Sequence, residues 1–147
     1  MPATIHANTH AHLDNDFLQS FLTARVALAV ELKELSEAVE ASEQITAARR
    51  EAFCESLMDY VALGHFGLYE RLFNDTDGVD ESRRQLARRF YPLMMRGVQL
   101  ALLFNDHNAT DADYAQSQER LAFELSEIGL MLNQRFTAED QILAGGH

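Results

Sequence analysis

Residues 59–70 read DYVALGHFGLYE, and how this run is wound decides what the rest of the chain must do. No strand-like alternation runs through it, whereas Val61, His65 and Leu68 recur at the three- and four-residue spacing of one helix face. Plotting successive residues about 100° apart places His65 about 40° from Val61, inside the apolar stripe. The same plot puts Asp59 and Glu70 within about 20° of the opposite pole, with Leu63 and Phe66 on the side of the acids. The run therefore predicts a helix with a core face that carries a histidine. Its second face mixes two acids with two large apolar side chains.

The same periodicity extends outward in both directions. It predicts helices over about Asp16–Ala41, Glu43–Phe73, Glu81–Phe104 and Asp111–Leu143. Their stripes are Phe17, Phe21, Leu28, Leu32, Leu35 and Val39; then Cys54, Leu57, Val61, Leu68 and Leu72. Leu86, Phe90, Leu93, Leu100 and Phe104 follow in the third, and Leu121, Leu125, Ile128, Leu132 and Phe136 in the fourth. NDTDGVDE and NDHNATDAD break the pattern with turn-forming residues, and Thr110 with Asp113 resembles a capping box. Long helices joined by short loops predict an all-α fold, an antiparallel up-and-down four-helix bundle over residues 16–144 behind a flexible segment 1–15. Pro92 predicts a kink in the third helix. Beyond it, FYPLMMRGVQLALLF is apolar nearly all round, which implies unusual burial or an apolar surface patch.

Composition narrows the function. The 147 residues suit one domain, 47% hydrophobic and 24% charged, with two prolines and seven glycines. A net charge of −11 opposes direct contact with nucleic acid or an anionic membrane and favours a basic protein partner. One cysteine, Cys54, permits no internal disulfide and fits a reducing compartment. MPATIHANTHAHLDND lacks the basic start and apolar stretch of a signal peptide, and no apolar run approaches the length of a membrane span. A cytoplasmic protein is expected.

Catalytic chemistry is missing from the pattern. No histidine has Glu three residues before it, as a di-iron bundle requires. His6, His10 and His12 would chelate a metal only adventitiously, for want of fixed geometry, so neither metal nor cofactor is expected. Asp59 and Glu70 stand about 16 Å apart along the axis, too far for a glycosidase pair. Cys54 lies on a buried stripe without an activating base, and Gly64 and Gly67 look like close-packing positions. Most of the cluster Arg83, Arg84, Arg88 and Arg89 reads as a solvated face. Arg25 in the first helix, His65 in the second, and Arg135 and Glu139 in the fourth all fall within apolar stripes. Buried charge must be paired, so these residues predict a structural polar network, with Tyr69 beside it.

FCESLMDYVALGHFGLYERLF (53–73) strongly resembles the second helix of the Rsd/AlgQ family, the regulators of sigma D. RRFYP and LALLFNDHN in the third helix and LSEIGLMLNQRFTAEDQIL in the fourth resemble the same family, so the likeness covers about Phe17–Leu143. The resemblance implies a bacterial anti-sigma factor without catalysis. It would bind the fourth region of the primary sigma factor and block its contacts with core RNA polymerase and the −35 element. It implies that Asp59, Ala62, Leu63, Phe66 and Glu70 face sigma, with Phe21 and Arg25 of the first helix beside them. The chain departs from the family in lacking a tryptophan near Phe21. The alternative is a family-shaped paralogue that serves as an interaction module for another regulatory or metabolic protein. A monomer or weak homodimer is expected in either case.

Overall fold

The computed structural model describes residues 15–70, 81–108 and 114–144, the side chains of the last stretch from residue 119 onward. The helices are α1 (Asn15–Glu40), α2 (Ala47–Ala62), α3 (Glu81–Asn108) and α4 (Tyr114–Leu143), and α2 runs directly into a π-helical segment, Leu63–Tyr69. There is no strand among the described residues. Each helix packs against its neighbours in the order α1–α2–α3–α4 and back to α1, and the backbones of the diagonal pairs stay apart. Cross-helix contacts give the directions. Phe53 meets Phe104 late in α3 while His65, further along, meets Tyr91 nearer its start, and Arg25, in the first half of α1, meets Asp140, late in α4. The fold is the expected all-α, antiparallel up-and-down four-helix bundle.

The stripes of α1, α2 and α4 supply most of the core. In α3, by contrast, the buried line is Ala87, Met94, Ala101 and Phe104, and Leu86, Phe90, Leu93 and Leu100 of the expected stripe are only half-buried. Phe21, Leu28 and Leu35 of α1, Leu57 of α2, Leu68, Met94 and Phe104, and Leu121, Ile128 and Leu132 of α4 are all buried. Phe21 stacks between Phe17 and Tyr60, with ring centroids 5.7 Å and 5.5 Å away, and Phe53 meets Phe104 edge-on at 5.4 Å. A side chain at Gly67 would collide with the Phe17 ring.

Local chemistry fixes the helix ends. At the end of α1 the N–H of Glu43 donates to the carbonyl of Ala38, and that of Ser42 to Val39, both at 3.0 Å. This is the Schellman pattern, and Ser42 occupies its left-handed position with φ 61°. The second helix therefore starts at Ala47 rather than near Glu43: Thr46 caps it, its Oγ1 accepting from the N–H of Arg49 at 3.2 Å. Arg83 donates to the carbonyls of Ile142 (3.0 Å) and Leu143 (3.3 Å), covering the negative end of α4.

Pro92 lies inside α3, which continues through it to Asn108. Of the apolar stretch that follows, Met94, Ala101 and Phe104 are buried, whereas Leu102 and Leu103 are 47% and 49% exposed. The expected turn 74–81 (apart from Glu81), the Thr110–Asp113 cap, segment 1–14 with its histidines and the end of the second helix beyond residue 70 lie outside the described residues.

Candidate partner-docking face

A fully buried ion pair anchors the end of the bundle where α2 becomes π-helical. Arg135 Nε donates to Glu139 Oε2 at 2.9 Å, and both side chains have 0% exposure. Tyr60 donates its hydroxyl to Glu139 Oε1, and the Arg135 guanidinium lies over the Tyr60 ring, 5.1 Å from its centroid. Arg135 Nη2 also donates to the carbonyl of Val61 at 3.4 Å. Gly64 and Gly97 make the space: an added Cβ at Gly64 would strike Nη2, and one at Gly97 would stand 2.7 Å from Nη1. Burial pushes the Glu139 carboxyl above its ordinary range, opposed by the charge of Arg135 and by the bonds from Tyr60 and Arg135. The Tyr60 and Tyr69 phenols are both pushed far above theirs, first by burial and then by the charge of Glu139.

Arg25 stands apart from this pair. It makes two bonds to Asp140, at 2.8 Å and 3.1 Å, and lies 4.5 Å over the Phe136 ring. Burial alone would lower the pKa of its guanidinium, but the bond to Asp140 and the charge of Asp140 and Glu139 raise it.

His65 was expected within the network and is not there. It is half-buried, edge-on to Phe66 at 4.7 Å and 6.5 Å from Tyr91, and its Nδ1 is buried with no hydrogen-bond partner among the described residues. Gly64, not His65, faces Arg135. The buried arc of the helix, Phe53, Leu57, Tyr60, Val61 and Gly64, is centred to one side of Val61, whereas His65 falls about 40° to the other side, at the edge of the arc. Sequence reasoning missed Tyr60 as the third member of the network. Its signal was present: it sits three residues after Leu57 on the edge of the same stripe.

The face opposite this network is open. Asp59, Ala62, Phe66 and Glu70 are exposed along one line, with the Phe66 ring 63% exposed. Leu63 is half-buried and packs against the core, so it offers only an edge. Phe21 is a correction: at 0% exposure inside the Phe17–Tyr60 stack, it contributes no surface. Of the two α1 residues expected there, only Arg25 is partly exposed, and it is already bound to Asp140.

Beside Asp59 a shallow open groove of about 330 Å³ runs between α2 and α3. Glu51, Glu55 and Asp59 line one side, and Asn105 and Asn108 the other, over Cys54 and Met58. The Cys54 thiol donates to Asn105 Oδ1 at 3.2 Å, and burial and then the charge of Glu55 raise its pKa, which suits a packed thiol rather than a nucleophile. No helix of the described residues is long and apolar enough to cross a membrane.

The geometry is matched by kinship. Residues 4–145 match the family described as "Regulator of RNA polymerase sigma(70) subunit, Rsd/AlgQ". A "Regulator of sigma D" from Yersinia enterocolitica serotype O:8 / biotype 1B is 31% identical over 93 residues, 63% of this chain and 56% of that protein. One from Yersinia pestis is 32% identical over 101 residues, covering 67% of this chain and 59% of the relative. One from Enterobacter sp. (strain 638) is 35% identical over 96 residues, covering 63% and 54%. The similar region thus spans less than two thirds of these relatives. No solved structure matches the chain.

Proposed function

Because this chain belongs to the Rsd/AlgQ family, we propose that it binds the fourth region of the primary sigma factor on the outward face of α2 and its π-helical extension. Binding there blocks that region's contacts with core polymerase and the −35 element. The observation that carries this reading is the line Asp59, Ala62, Phe66 and Glu70, apolar at its centre and acidic at both ends, on a chain of net charge −11. The fourth region is a basic helix-turn-helix module. Its arginines and lysines find on this face the negative charge they otherwise meet in phosphate, and Phe66 supplies the desolvated anchor. The chain acts in the cytoplasm by occupancy alone, without a catalytic step or a cofactor.

Calorimetric titration against the isolated fourth region tests this. The expected result is a 1:1 complex that weakens as salt rises. Phe66→Ala should weaken it by about 30-fold or more, in keeping with an interface anchor, and Asp59→Ala by about five- to tenfold. Unchanged affinity in both variants would remove this face from consideration. A second reading, a module for another regulatory or metabolic protein, draws on the exposed Leu102 and Leu103 of α3. A pull-down from the native cytoplasm that retains another protein and no sigma factor would favour it.

A further inference from the structure

We infer that the groove between α2 and α3 is a receptor for one arginine side chain of the docked partner, an inference that rests on the docking face just proposed and extends it to a second subsite. At about 330 Å³ the groove is at the small end of ligand pockets, room for one long side chain rather than a whole molecule. Its chemistry is graded. Met58 and Cys54 offer an apolar floor for an aliphatic stem, while Glu51, Glu55 and Asp59 set a carboxylate rim one turn apart along α2.

Asn108 adds the observation that the acids alone would not supply. It lines the groove at 3% exposure, and its Oδ1 is buried without a hydrogen-bond partner among the described residues. The amide cannot simply turn over to relieve this, because Nδ2 donates to the Phe104 carbonyl at 2.9 Å and to Glu124 Oε1 at 3.1 Å. A buried acceptor without a donor is unfavourable, and an incoming N–H would relieve it. Acceptors on two helices, carboxylate on one side and amide on the other, suit the planar five-donor fork of a guanidinium better than the point charge of an ammonium.

Position ties the groove to the docking face. Asp59 belongs to both, and Glu55 lies eleven residues before Phe66, about 16 Å along the axis. A partner helix anchored on Phe66 would therefore deliver an arginine into the groove from about three turns away.

The test follows the Met58 methyl and the Asn108 side-chain amide by NMR in the full chain, at fixed ionic strength. N-acetyl-arginine amide and N-acetyl-lysine amide are titrated into the unmodified protein and into Glu55→Gln, an exposed change that leaves the core intact. Saturable shifts at both groups with the arginine compound are expected, at least about fivefold weaker in Glu55→Gln and weaker with the lysine compound. No saturable shift, equal response in Glu55→Gln, or no preference for arginine would overturn the proposal. In a second arm, Glu55→Gln should weaken the fourth sigma region about fivefold, whereas Glu37→Gln on α1 should not. If that region fails to bind even the unmodified chain, the docking face falls while the small-molecule titration still decides the groove.

Discussion

At the scale of single residues, Arg135 and Glu139 define the interior. Each has 0% exposure, and each has the other as its countercharge. Removing one leaves an uncompensated buried ion, so Glu139→Ala should destabilise the chain by about 3–5 kcal/mol in chemical denaturation. The double change Arg135→Met with Glu139→Leu should recover most of that loss, since neither charge then remains buried. The phenols give a pH test. Tyr60 and Tyr69 stay protonated in the fold well above their ordinary value near 10. The unfolded chain releases these protons first as pH rises, so the stability they contribute is complete below about pH 10 and is lost above it. The expected slope is about 1.4 kcal/mol per pH unit for each phenol. Tyr69→Phe, measured against the parent by denaturation between neutral and alkaline pH, should remove one such contribution. A slope unchanged by the substitution would show that Tyr69 does not carry it. The buried placement of Arg135 and Glu139 was legible because both fell on an apolar stripe at i and i+4. Their partner Tyr60 carried a positional signal too, three residues after Leu57, but a phenol on a stripe's edge reads as ordinary core rather than as a network member.

At the scale of elements, what the sequence carries is period, and what it hides is a change of period. The four helices follow from apolar spacing, and so do the buried faces of α1, α2 and α4; in α3, apolar nearly all round, the spacing does not single out the buried line Ala87, Met94, Ala101 and Phe104. The π-helical segment Leu63–Tyr69 does not, because a plot at 100° per residue assumes the winding it is meant to detect. His65 was placed in the core because the stripe was centred on Val61 rather than on the Leu57, Tyr60 and Gly64 side that is buried, and Gly64, with no side chain to mark it, was left without its role as the seat of the Arg135 guanidinium. Phe21 was misplaced for another reason: the resemblance placed α1 beside the interface, but its position on the stripe already pointed inward. The ends of the elements offer their own tests. Ser42 holds a left-handed conformation that costs a residue with a Cβ about 1–2 kcal/mol. Ser42→Gly should relieve it at some cost in unfolded-chain entropy, for a net stabilisation of about 0.5–1 kcal/mol. Thr46→Ala, which removes the cap on α2, should cost about 1 kcal/mol. Thermal unfolding of the two variants should move in opposite directions.

At the scale of the whole molecule, the bundle separates a sealed polar interior from an open acidic exterior on the two sides of one helix. Tyr60 and Gly64 turn inward to Glu139 and Arg135, while Asp59, Ala62 and Phe66, their immediate neighbours, turn outward. The interior fixes how the helix presents its outer line, and the net charge of −11 gives that line a long-range attraction for a basic partner. Two phenylalanines make this directly measurable, because Phe66 and Phe123 are each 63% exposed, one on the docking face and one on α4. Hydroxyl-radical footprinting of the chain, free and saturated with the isolated fourth sigma region, compares them within a single sample. Phe66 is expected to become protected while Phe123 is oxidised as before. Phe66 oxidised equally in both states, with protection falling on Phe123 instead, would contradict it.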